Sequence, residues 1–162
     1  ALDTAQIEAL AGQIVSRTPA TLVLIGTEAD LSAAETLCAS LPPGRAVDTT
    51  GQWALDELPI LLGALDCFVG VDSGATYMAD ALDVPVVDFM GPADADDQRP
   101  IDGQAIVIRS AEPCAPCSHA FDAPYACHLG TRACIAKMPI AAVVQAVEAI
   151  LASQNSVAEY RQ

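Results

Sequence analysis

Asp72, Ser73 and Gly74 stand in the stretch "GVDSGATYMADAL", directly after the apolar run "CFV". An acid, a hydroxyl and a glycine at the end of a buried strand, with a helix beginning at once, suit the binding of an anion. The first amides of a helix have no internal partner, and the helix dipole favours negative charge there. Ser73 adds a hydroxyl donor, and Gly74 has no side chain to hold a phosphate away. Asp72 would repel phosphate, but it suits a sugar hydroxyl or the backbone amides of a tight turn. The plainer reading of the same three residues is a helix capped by Asp72, with Gly74 easing the turn. A second loop, "GPADAD" from Gly91, follows the next apolar run and can equally be an ordinary acidic turn. A third loop, Gly26 to Glu28, follows "TLVLI". Three such loops on one sheet edge would form a cleft.

The elements that must hold these loops alternate along the chain. "LDTAQIEALAGQIV" begins with an Asp or Thr cap and places Ile7, Leu10, Ala11, Ile14 and Val15 on one helix face. Thr21 to Gly26 reads as a buried strand closed by glycine. "SAAETLCASL" offers Ser32 and Glu35 as a capping box, then Leu37, Cys38 and Leu41 on one side. Ala46 to Asp48 is a short strand, and "ALDELPILLGAL" is a helix that either begins near Leu58 or kinks at Pro59. Cys67 to Val71, Pro85 to Phe89 and Ala105 to Ile108 are further strands, and "ATYMADAL" is the helix after the first of them. The last helix, "PIAAVVQAVEAIL", has Pro139 in its first turn, and polar residues follow from Ser153. Such alternation is the signature of an α/β fold, a parallel sheet with helices on both faces. Ligands of such sheets bind at the carboxyl ends of the strands, where strand order reverses.

Charge and composition exclude several functions. The formal charge is −14, from 7 basic and 21 acidic residues. That balance leaves no basic footprint for nucleic acid or for anionic lipid. No apolar stretch approaches the roughly 20 residues that span a bilayer, and no signal peptide opens the chain, so the expected compartment is the cytoplasm. The absence of G-x-G-x-x-G after the first strand argues against a dinucleotide-dependent dehydrogenase.

Residues 111–138 follow neither period and hold four of the six cysteines. Cys114, Cys117, Cys127 and Cys134 read C-x2-C-x9-C-x6-C. In a reducing compartment such a cluster points to a tetrahedral zinc or iron site first. Free buried thiols and disulfides remain as the other two readings. Cys38 and Cys67 lie in periodic segments and are expected to be core thiols. His119 and His128 sit in the cysteine loop and are expected to be structural or solvent-facing rather than catalytic.

Taken in order, "LVLIGTEAD", "ALDELPILLGALDCFVGVDSGATYMADALDVPVVDFMGPAD", the cysteine loop and the closing helix resemble glycosyltransferase family nine. These are ADP-heptose:lipopolysaccharide heptosyltransferases. The resemblance runs from about Thr21 to Leu151, and its most specific part is the strand, "DSG", helix, "PVV", "GP" succession. It implies a GT-B enzyme, in which two Rossmann-like domains face a cleft. The C-terminal domain binds the nucleotide-sugar donor; the N-terminal domain binds the acceptor and supplies the base. This sequence resembles the C-terminal domain alone. Residues 1–152 would be one Rossmann-like donor-binding domain and residues 153–162 a polar tail. Its partners would be a nucleotide-sugar donor, the absent N-terminal domain, and a glycan or lipid A-core acceptor, with at most peripheral contact to a membrane.

The resemblance assigns Asp72, Ser73 and Gly74 to the donor's phosphates and sugar. It places Glu28 or Asp30 near the ribose, with Gly26 in the same loop. Trp53, the only tryptophan, lies near the adenine position and would cover a base face or be core. Gly91, Pro92 and Asp94 match the family's "GP" loop. Tyr77 stands where the family usually has histidine, and a phenol donates a hydrogen bond but holds no positive charge. Pro59 interrupts a helix that the family leaves unbroken. Transfer in this fold needs no metal, although some heptosyltransferases that modify autotransporters hold an iron with four cysteines. The alternatives are a transferase that uses another nucleotide sugar, and a non-catalytic Rossmann module with a structural four-cysteine site.

Overall fold

The computed structural model describes residues 2–101, 104–124 and 126–159. The expected tail therefore lies partly outside the described residues. Helix α1 (Thr4–Arg17) starts at Asp3, whose carboxylate accepts the Gln6 amide at 2.8 Å while the Gln6 side chain accepts the Asp3 amide at 3.1 Å. This reciprocal pair satisfies two amides that the first turn leaves open. Ala11, Ile14 and Val15 are buried, but Ile7, expected on the same stripe, is exposed.

Strand β1 (Leu22–Leu24) is shorter than the apolar run around it. A 3-10 turn (Glu28–Asp30) leads into α2 (Leu31–Ser40). Ser32 thus lies inside the helix, and the expected Ser32–Glu35 box does not form. The closure comes earlier, where the Asp30 carboxylate accepts from both the amide and the hydroxyl of Thr27 at 2.8 Å. Strand β2 (Ala46–Asp48) has the expected bounds. Helix α3 (Leu58–Leu62) begins beside Pro59, which sits in the first turn where its missing N–H is no loss. The remaining elements are β3 (Phe68–Val71), α4 (Gly74–Ala81), β4 (Val86–Met90), β5 (Ala105–Arg109), α5 (Ala133–Ala136) and α6 (Ile140–Glu159). Helix α6 runs past Leu151 to Glu159, into the segment expected to be a polar tail.

Among the described residues the five strands pair only in parallel. They divide into a two-stranded sheet, β1–β2, and a three-stranded sheet ordered β3–β4–β5. On β4, Val87 and Phe89 pack with Ile14 of α1 and with Val143, Val144, Val147 and Ile150 of α6. Val86, on the opposite face, packs with Leu62 of α3 and Ala79 of α4. The sheet is therefore covered on both faces, as the alternation of elements requires. A third cluster joins Ala11 and Val15 of α1 to Leu37 and Leu41 and to β1. This packing brings the ends of β1, β3 and β4 out as loops. No helix of the described residues is long and apolar enough to cross a membrane.

Leu62 has no exposed surface, whereas Ile60 of the same helix is 71% exposed. Leu62→Ala is expected to lower the unfolding free energy by about 2–5 kcal/mol, and Ile60→Ala by less than about 0.5 kcal/mol. Urea denaturation of the two variants checks this.

Candidate functional site

Helix α4 begins directly beyond β3, so Asp72 to Gly74 occupy a two-residue turn and the first helical position. Ser73 is the N-cap in extended conformation, yet its side chain makes no capping hydrogen bond. Its hydroxyl instead lies 3.1 Å from the Thr76 hydroxyl, which donates to the Val71 carbonyl at 2.7 Å. Asp72 does not cap the helix either. Its carboxylate accepts the Tyr77 phenol at 2.8 Å. The plainer reading, with Asp72 as the cap, is therefore not what forms. The first helical amides are left without a capping side chain, beside the exposed Ser73 and Gly74. A Cβ placed on Gly74 would meet nothing within 4 Å, and the residue has no positive φ. Neither packing nor backbone geometry requires glycine there, so a small residue at this position leaves space next to uncapped amides.

The other two motif glycines differ. A Cβ on Gly26 would lie 3.0 Å from the Asp30 carboxylate and 3.2 Å from Thr50, and one on Gly91 would lie 3.0 Å from Ile135. Both serve close packing. Asp30 is committed to Thr27, whose amide and then hydroxyl hold the carboxyl below its ordinary range. Glu28 is exposed, packed near the turn at Gly51, and Trp53 is exposed, not core. These residues lie on the β1–β2 side of the fold, and the Asp72–Tyr77 pair on the β3–β4 side.

Near that pair stands a residue the sequence reading passed over. Asp88 lies mid-strand in β4, in register with Gly70 of β3, and is completely buried. Neither of its carboxylate oxygens has a hydrogen-bond partner. Burial, and then the charge of Asp72, push its carboxyl up to about 7. Burial also raises the Tyr77 phenol well above its ordinary value, helped by its bond to Asp72 and by the charges of Asp72 and Asp88. The signal for Asp88 was a lone acid within "PVVDFM", a run otherwise fit for a two-sided core strand.

The "GP" loop is bound to the cysteine loop. Pro92 accepts the amides of Cys117 and Ser118, and Asp94 donates its amide to the Ser118 carbonyl, each at 2.9 Å. His119 Nδ1 lies 3.2 Å from carboxylate oxygens of both Asp94 and Asp97. Those three residues are the His/Cys/Asp/Glu set, among the described residues, whose ligand atoms lie within 4.8 Å of one another. His128 is exposed. A shallow depression of about 560 Å³ opens between Tyr77 and Asp80 of α4 and residues 96–101. Arg99 contributes its one basic side chain, a residue no motif had singled out.

All four loop cysteines are free thiols, with Cys134 buried and the other three half-buried. Burial raises the Cys134 thiol, and so do the neighbouring sulfurs of Cys114, Cys117 and Cys127. The other three thiols are thus near enough to act on Cys134 electrostatically, and the four are not among the ligand sets drawn within 4.8 Å among the described residues. The amide of Arg132, and then those of Leu129, Gly130 and Thr131, lower the Cys127 thiol. Amides converging on one sulfur favour its thiolate form, the form that ligates metal.

The raised ionisation of Asp88 sets a direction for stability. Well below pH 3.8 the carboxyl is protonated in both folded and unfolded chains. Between the ordinary value of 3.8 and about 7 the unfolded chain releases the proton and the folded chain keeps it, so stability falls as pH rises. Above about 7 the loss is complete. Asp88→Asn is expected to gain on the parent chain by on the order of 3 kcal/mol between pH 4 and pH 8, read by denaturant midpoints at both values.

Comparison with known proteins places this geometry in a family. The sequence model of glycosyltransferase family 9 (heptosyltransferase) matches residues 4–125. Lipopolysaccharide heptosyltransferase 2 of Salmonella typhimurium is 33% identical over 91 residues, which is 54% of this chain and 26% of that protein. The Escherichia coli K12 protein of the same name matches to the same extent, 33% over 91 residues. The structure of E. coli ADP-heptose lps heptosyltransferase II superposes with a TM-score of 0.73 at 24% identity, over 94% of this chain and 42% of that one. A family 9 glycosyl transferase from Veillonella parvula gives 0.73 at 17% identity, over 93% of this chain and 42% of that one. The match therefore spans about a quarter of the curated relatives, and less than half of the solved chains. With the family model covering most of its length, the chain belongs to glycosyltransferase family 9 (heptosyltransferase).

Proposed function

We propose that the chain is the C-terminal, donor-binding half of a GT-B glycosyltransferase that moves a heptose-like sugar from an ADP-type donor to a hydroxyl of lipopolysaccharide core or a related glycan. The observation that carries this reading is the uncapped start of α4 beside Gly74, where space remains next to free amides. A diphosphate placed there accepts hydrogen bonds from the first turn and from Ser73. As the glycosidic bond breaks, negative charge grows on the leaving diphosphate, and fixed amides and the helix dipole offset it without rearrangement. Asp72, held by the Tyr77 phenol, presents acceptor oxygens to donor-sugar hydroxyls at the edge of the same turn. Tyr77 keeps its proton throughout neutral pH and therefore acts as a donor of hydrogen bonds, not as a base. The base and the acceptor site belong to the N-terminal half of the enzyme in this reading. Free cysteines fit a cytoplasmic location.

The cysteine loop carries a structural metal in this reading, zinc or iron, held by Cys114, Cys117, Cys127 and Cys134. The electrostatic influence of the other three thiols on Cys134, and the amides around Cys127, suit thiolate ligation. The metal ties down a loop that otherwise has little regular structure, and takes no part in transfer.

Calorimetric titration with ADP, beside UDP and GDP, tests the donor assignment. ADP is expected to bind in preference, and Gly74→Val to weaken it at least tenfold while changing stability by less than about 1 kcal/mol, since its side chain meets no protein atom. Preference for UDP or GDP would move the donor, and no binding by any of the three would overturn the reading. For the loop, metal analysis of protein purified under reducing conditions is expected to find one zinc or iron per chain, lost in Cys127→Ser.

A further inference from the structure

Asp88 is a fully buried carboxyl whose two oxygens have no partner, in register with Gly70 of β3, two residues before Asp72. Side chains alternate along β4, so Asp88 lies on the same face as Val86, the face that α3 and α4 cover. The groups around it can be named element by element. From the end of β3 comes Asp72, and from α4 comes Tyr77, and each acts electrostatically with it or through it. Asp80 of α4 is also buried, and its carboxylate accepts the Ile101 amide at 2.8 Å. On β5 the residue in register is Val107, while Arg109 further along is paired with Asp96 at 2.8 Å. Arg99 lines the depression beside Tyr77 together with Asp96 and Asp97, and is itself paired with Asp96 at 3.6 Å. None of these basic side chains bonds to Asp88. α3 contributes the apolar Leu62.

We propose that Asp88 is a positioning residue of the donor site: it must hold a proton for the Asp72–Tyr77 pair and the start of α4 to accept an anionic diphosphate. The inference rests on the donor-site reading above. With the proton in place, Asp88 adds no negative charge beside Asp72, and the phenol of Tyr77 holds the Asp72 carboxylate in orientation. When the proton leaves, a second negative charge appears near Asp72, on a carboxylate with no hydrogen-bond donor to offset it. A diphosphate brought to the adjacent amides then meets the repulsion of both carboxylates, across a low-dielectric interior that screens it poorly. Donor binding and proton retention at Asp88 are thereby linked, each favouring the other. Asp88 touches neither phosphate nor sugar in this scheme, and acts through Asp72 and Tyr77.

The test is the pH profile of ADP affinity, measured by calorimetry at pH 6 and pH 8.5 for the parent chain and for Asp88→Asn. The parent is expected to weaken about tenfold more than the variant over this range, ADP's own ionisation being common to both. An equal change in the two chains, with ADP still bound, would overturn the inference and leave the donor reading standing. A purely structural Asp88 would give that result, because it alters stability but not the slope. No ADP binding by either chain at pH 6 would overturn the donor reading and this inference with it. Should Asp88→Asn not fold, the Asp88 carboxyl is followed in the parent chain by carbon-13 resonance. Saturating ADP is expected to raise its titration midpoint by about one pH unit, the same tenfold effect, and an unmoved midpoint would overturn the inference.

Discussion

Strand β4 is paired along both edges and buried on both faces, and the rest of the molecule is built around that constraint. A strand held in this way cannot shift register without exposing one face of its core. Its partner β3 is fixed with it, and so is the turn at Asp72 to Gly74 where β3 ends. Its own end runs into Gly91, where an added Cβ would press on Ile135 at 3.0 Å. The "GP" loop is thus seated against the cysteine loop. The hydrogen bonds from Cys117 and Ser118 to Pro92 then extend the parallel arrangement one step beyond the sheet.

The same strand carries the clearest local conflict in the fold. A valine or leucine at position 88 would suit a strand buried on both faces, and the chain has aspartate instead, with no partner for either oxygen. Burying an unpaired carboxyl costs stability whether it is ionised or held protonated. Rules of this kind are broken mainly at sites where another demand competes with folding. Here the neighbouring element is the Asp72–Tyr77 turn, so the conflict sits one strand away from the residues with the freest chemistry. Tyr77 belongs to the same corner: its phenol donates to Asp72 and adds no positive charge.

The architecture was largely legible from period and punctuation. Short β-branched runs closed by glycine or acid gave the strands, and the position of Pro59 allowed a helix to begin at Leu58, as it does. Local details were less legible because several residues could serve the same role. Ser32 with Glu35 and Thr27 with Asp30 both have capping chemistry, and the geometry of the loop after β1 decides between them. The length of α6 was underestimated because its last turns are polar, and a polar sequence does not by itself end a helix. Asp88 was missed for the opposite reason. A period-based reading counts the apolar residues of "PVVDFM" and passes over the exception. The meeting of His119 with Asp94 and Asp97 depends on two loops that are separated in sequence and joined only by the fold.

Glycine shows most directly where sequence and structure divide the information. Gly26, Gly74 and Gly91 each close a strand or open the turn that follows it, and by spacing alone they are equivalent. Their missing side chains distinguish them. At Gly26 and Gly91 an added carbon would press on Asp30 or Ile135, so folding alone accounts for glycine. At Gly74 an added carbon would touch nothing, and α4 would tolerate it, so folding leaves the choice unexplained. The surplus space lies beside the amides that Ser73 fails to cap and the carboxylate that Tyr77 orients. Features that cost the fold something, or that the fold does not need, converge on this one turn; the other loops are explained by packing. That asymmetry, rather than the three-residue motif itself, is the physical argument for placing the ligand at the start of α4.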